Sequence, residues 1–177
     1  MHSRPTPRAE SQATTLADAQ RALAEVYGYL LHRCRSVSLA EDLAAESVLA
    51  AVDRLTSGSI DAITPAYVIG IARHKLVDHW RTEERERRHL TAISARWETA
   101  PVDELHTSFE PGRAHDVLAR LRPAHRSVLT LRYLDDLPVG AIAQLLGRSV
   151  ESTETLLMRA KREFRSRYGA EKGANRD

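Results

Sequence analysis

Cysteine occurs once in these 177 residues, at Cys34. An internal disulfide is therefore excluded, and a reducing cytoplasm is the expected setting. His32 and Cys34 bring two metal-ligating residue types close together, but no second Cys/His pair follows at ligand spacing, so neither a zinc site nor any other cofactor is expected. No apolar run approaches the roughly 20 residues that span a bilayer, and the first fourteen residues lack the apolar core of a secretory signal. A soluble protein without membrane insertion is expected. No phosphate loop, serine elbow or paired metal motif is present, which argues against an enzyme. Aromatic residues are scarce, at 5%. Ala, Leu and Arg are abundant instead, and unbranched side chains of this kind lose little rotamer freedom in helices. Strand-like alternation and internal repeats are both missing. Net charge is only +2 despite a pI near 8.9, so the clustering of charge says more than its sum.

What is present is a series of helical patterns. Residues 1–14, with two prolines and several Ser/Thr, are expected to form a disordered tail. Leu16, Ala19, Leu23, Val26, Tyr27, Leu30 and Leu31 recur at spacings of three and four and predict a helix over about 15–35. Ser38 and Glu41 read as a capping box that opens a second helix, supported by Leu43, Val48, Leu49, Val52 and Leu55. Thr64-Pro65 then reads as an N-cap followed by proline at the first helical position. It opens a long third helix over about 65–88, with Val68, Ile69, Ala72, Leu76 and Trp80 inward. The charged run Arg81–Arg88 is expected to project into solvent. Turn residues and acids over 93–112 suggest an interdomain linker.

Beyond it, Val117, Leu118 and Leu121 suggest a short helix, and Pro123 starts another with Val128, Leu129, Leu131 and Leu134 inward. Asp135–Pro138 is a turn. A short helix then carries Val139, Ile142, Ala143, Leu145 and Leu146. Gly147-Arg148-Ser149 is the next turn, with Gly147 where a positive φ is needed. Ser149 caps a last helix with Val150, Thr153, Leu157, Ala160 and Phe164 inward. Short helix, glycine turn and longer capped helix make up a helix-turn-helix, whose second helix enters the DNA major groove. An ordinary helical hairpin also carries such a turn. Arg159, Lys161, Arg162, Arg165 and Arg167 offer a surface for phosphates, whereas Glu151 and Glu154 would repel them unless they accept from cytosine amino groups.

Residues 114–168 resemble region 4 of the sigma-70 family of RNA polymerase sigma factors. The resemblance is carried by Val128–Leu134, Leu137-Pro138, Ile142-Ala143 and Leu146–Val150. Ala40–Leu43 with Glu46, and Tyr67–Asp78, resemble region 2. Two regions joined by a short linker are similar to the extracytoplasmic-function group. Departures lie at Ala45, Val48, Glu154 and Leu156, and those on the last helix point to a divergent −35 preference. The resemblance implies an all-α fold of two small helical domains. Region 2 would occupy 15–92, a flexible linker 93–112 and region 4 113–170, with a tail at 171–177.

The resemblance also implies function. Glu41, Asp42, Leu43 and Glu46 would bind core RNA polymerase. Tyr67, Arg73, His74, Lys75, Asp78, His79 and Arg81 would engage the −10 element. Arg148, Ser152, Thr155, Arg159, Lys161 and Arg162 would engage the −35 element. Expected partners are core polymerase, promoter DNA and an anti-sigma factor, with the free protein monomeric. The rival reading is a stand-alone helix-turn-helix regulator, which would dimerise on a palindrome.

Overall fold

The computed structural model describes residues 7–34, 36–94 and 112–174. Seven helices run through them: α1 (Pro7–Leu31), α2 (Val37–Thr56), α3 (Pro65–Ser94), α4 (Arg113–Ala119), α5 (Pro123–Tyr133), α6 (Val139–Leu146) and α7 (Val150–Ala174). No strand occurs among the described residues. The chain divides into two compact units at Lys75/Leu76, so α3 contributes its first turns to one unit and the rest to the other. Most of the expected linker, and the two ends of the chain, lie outside the described residues.

In the first unit α1 starts at Pro7, eight residues before its expected start, so part of the expected tail is helical. Its buried line is Ala22, Val26 and Leu30, each 0% exposed. Leu16 and Leu23 lie to one side of that line and are exposed. The helix ends at Leu31, where the backbone N–H groups of Arg33 and Cys34 both reach the Leu30 carbonyl at 2.8 Å.

The cap of α2 differs from the expected box. Ser36, in extended conformation, accepts from the Leu39 N–H at 3.2 Å, and Val37 and Ser38 are already helical. The buried stripe of α2 is Ala40, Leu43, Ala44, Ser47 and Ala51, while Leu49 is exposed. Small side chains let helix backbones approach closely, so here the alanines face inward beside Leu43, and Val48, Leu49, Val52 and Leu55 flank them. Ser47 is fully buried and donates to the Leu43 carbonyl at 2.6 Å, which satisfies its hydroxyl inside the helix. Gly58, at φ 72°, ends α2. Thr64 caps α3 as expected, accepting from the Tyr67 N–H at 3.3 Å.

In the second unit α5 is the central helix, with His125 through Leu131 all buried. Around it, Val117, Leu118, Leu121, Ile142, Leu157 and Ala160 close the core, and Thr153 is fully buried beside them. Leu134 and Val150, expected inward, are 40% and 49% exposed, because each sits at a helix end where the chain turns away from the core. The charged end of α3 does not simply project into solvent. Trp80 and Glu84 are buried, and Arg126 of α5 donates both to the Glu83 carboxylate and to the Ala119 carbonyl.

Candidate nucleic-acid interface

The turn between α6 and α7 fixes how the last helix is presented. Gly147 adopts φ 60°, ψ 42°, the left-handed conformation that glycine enters without a Cβ penalty. The Gly147 and Arg148 N–H groups then reach back to the Gln144 and Ala143 carbonyls at 3.1 and 2.9 Å, closing the end of α6. Ser149 accepts from the Ser152 N–H at 3.1 Å and starts α7. One side of α7 is anchored by Thr153, Leu157 and Ala160. Because a helix turns once in 3.6 residues, Ser152, Thr155, Arg159 and Arg162 fall in line on the side opposite that anchor. Arg159 and Arg162 are exposed, and Arg148, just before the helix, donates to Ser152 Oγ at 3.3 Å. Five of the six expected −35 residues thus share one stripe. Lys161 does not: it lies on a flank with its ammonium 5.4 Å from the centre of the Tyr133 ring. Glu151 and Glu154 are both exposed near the start of α7.

The expected polymerase-binding residues separate by burial. Glu41, Asp42 and Glu46 are exposed on α2, whereas Leu43 is 7% exposed and packs in the core. Glu46 pairs with Lys75 of α3 at 2.8 Å. Of the expected −10 residues in the first unit, Tyr67 accepts a 2.7 Å hydrogen bond from Arg54, His74 is exposed, and Arg73 and Lys75 are half-buried. The others lie in the second unit. Asp78 and Arg81 pair at 2.8 Å, and His79 is half-buried. Arg81 also donates to the Leu145 carbonyl near the end of α6, and a Cβ at Gly147 would stand 3.3 Å from its guanidinium.

A partly buried ionic network behind α7 had no counterpart in the sequence reading. His125 contacts Glu163 through Nδ1 and Arg122 through Nε2, the latter at 2.7 Å. Burial lowers the His125 pKa; the Glu163 hydrogen bond opposes this, and the Arg122 charge reinforces it. For Glu84 burial raises the pKa, but hydrogen bonds and charge from Arg87 and Arg88 outweigh it and hold the carboxyl below its ordinary value. Such contacts join residues 38 positions apart and more, and a periodicity reading has no signal for them.

Two family models match the chain: "Sigma-70 region 2" over residues 19–86 and "Sigma-70, region 4" over residues 112–164. The chain is 30% identical over 142 residues to the ECF RNA polymerase sigma factor BldN of Streptomyces coelicolor, covering 77% of this chain and 53% of that protein, so it spans about half of BldN's length. It is 27% identical over 148 residues to the RNA polymerase sigma factor YlaC of Bacillus subtilis, covering 80% and 84% of the two chains. The structure aligns at a TM-score of 0.48 and 15% identity with the sigma factor RpoE from Bartonella quintana, solved in complex with the anti-sigma factor NepR, over 89% of this chain and 95% of that one. Alignment with a chain of the RsbN–BldN complex gives a TM-score of 0.34 at 23% identity, over 88% and 92%.

Proposed function

Because the chain belongs to the sigma-70 family, in its extracytoplasmic-function group, we propose that it binds core RNA polymerase and directs initiation at promoters with two separated elements. The observation that supports this most is the stripe of Ser152, Thr155, Arg159 and Arg162 on a capped helix of a helix-turn-helix, set opposite the buried Thr153, Leu157 and Ala160. Hydroxyls and guanidinium groups in line on one helix face suit base edges and phosphates of a duplex. In this reading the exposed acids Glu41, Asp42 and Glu46 of α2 meet basic residues of the polymerase. Tyr67, Arg73, His74 and Lys75 meet the −10 element, where a basic helix suits single-strand capture. The protein acts by binding and makes or breaks no bond itself. It works in the cytoplasm with the polymerase and is monomeric when free. Control by an anti-sigma factor belongs to the same proposal and rests on the family. Footprinting on one promoter fragment tests the reading. Protection of two separated elements only when protein and core polymerase are both present is the expected result. Protection of a palindrome by the protein alone would contradict it.

A further inference from the structure

His125 is a buried titratable residue with no part in the proposed reading of DNA, yet it joins the recognition helix to the rest of its unit. It is the third residue of α5 and is 2% exposed. Its Nδ1 faces the carboxylate of Glu163 on α7, and its Nε2 lies 2.7 Å from Nη2 of Arg122, just before α5. A guanidinium offers only donors and a carboxylate only acceptors. One state of the ring satisfies both partners: neutral, with the proton on Nδ1 and the lone pair on Nε2. Glu163 is held in turn by Arg167 at 3.0 Å and lies 3.8 Å from Arg122 Nε. From α3, the Glu84 charge acts on the ring and the Arg87 charge on Glu163.

We propose that His125 is a proton-sensitive positioning residue for α7, which holds the reading stripe at its working angle while neutral and shifts it from that angle on gaining a proton. This rests on the reading of α7 as the −35 helix. A second proton would go to Nε2 and set an N–H against the guanidinium of Arg122. It would also place a positive charge in the first turn of α5, where the helix dipole is already positive. Glu163 and Glu84 favour that charge; burial and Arg122 oppose it. Arg122 is the movable partner, since 44% of its side chain is exposed. Its departure takes the Arg122 charge away from Glu163 Oε2, which is then drawn to the imidazolium alone. Glu163 follows Arg162 directly and lies one turn beyond Arg159, so the change reaches the stripe through Glu163. Recognition of the −35 duplex therefore weakens as pH falls below the ordinary histidine range.

The test uses the full-length protein with core polymerase on a promoter fragment recovered by run-off transcription, at constant ionic strength, from about pH 8 to 5.5. The same fragment with its −35 element scrambled serves as the baseline. The advantage of the intact fragment should fall on acidification by up to about tenfold per pH unit, the slope that one coupled proton allows. His125→Gln keeps a donor and an acceptor on a side chain that does not titrate, and its advantage should stay nearly flat. Nitrogen-15 NMR of the unmutated protein, with the His125 signals identified by their loss in H125Q, should show the Nδ1–H tautomer. An unchanged pH dependence in H125Q, or an Nε2–H tautomer, would overturn the inference while leaving α7 as the −35 helix. No advantage of the intact fragment at any pH would overturn the reading of α7, and the inference with it.

Discussion

Glu46 of α2 and Lys75 of α3 are joined by a 2.8 Å ion pair on the surface of the first unit. One residue belongs to the proposed polymerase surface and the other to the proposed −10 surface, so the two sites share a strut. Both side chains are partly exposed, at 59% and 32%. Exposed pairs of this kind contribute about 1 kcal/mol or less. Reversing Asp42 and Glu46 to lysine should therefore lower the melting temperature by only a few degrees. Binding to core polymerase in a pull-down should fall severely. Retained binding would remove these acids from the docking surface.

Gly147→Ala tests the turn. A Cβ in the left-handed conformation costs about 1–2 kcal/mol, and here it would also crowd the Arg81 guanidinium at 3.3 Å. Chemical denaturation should show a loss of at least that size, and Gly147→Asn should lose less, because asparagine tolerates the left-handed region better.

Helix existence was largely legible in the sequence; which side of a helix faces inward was less so. Thr64-Pro65, Gly147 and Ser149 act through backbone chemistry confined to a few residues, and the structure places each where local rules put it. The buried side of α2 was not legible because Leu and Val outweigh Ala and Ser in any apolar pattern. Close helix contact favours the small residues, and Ala40, Ala44, Ser47 and Ala51 are buried together with Leu43. The stripe on α7 was legible because Thr153, Leu157 and Ala160 fix the opposite side. The His125–Glu163 and Arg126–Glu83 pairs depend on how separate helices meet, which no local pattern encodes.

Acid stability should depend on Glu84. Its carboxyl is held below the ordinary value of 4.5 by Arg87 and Arg88. It therefore contributes stability that is present above about pH 4.5 and lost as pH falls through the lowered folded-state value. His125 acts at higher pH: its lowered value means the unfolded chain takes up the proton first, so stability declines as pH drops below about 6.5. Glu84→Gln should flatten the lower limb of a pH–stability curve and, with the Glu84 charge no longer acting on His125, deepen the upper one slightly. An unchanged lower limb would remove Glu84 from the acid response.

Arg159→Ala should weaken binding of promoter-bearing duplex by about 1–3 kcal/mol if the guanidinium takes a guanine edge in bidentate fashion. Its exposure, with no role in the core, predicts an unchanged melting temperature. Equal binding by core polymerase carrying Arg159→Ala and by core polymerase carrying the unmutated protein, in a fluorescence anisotropy titration, would exclude it from the interface.

The most direct test of the central claim is run-off transcription by purified core polymerase on a fragmented genomic library, with and without this protein. Defined new transcripts, whose aligned starts share two upstream elements, are the predicted result. A transcript profile unchanged by the protein, together with specific duplex binding by the protein alone, would contradict the claim.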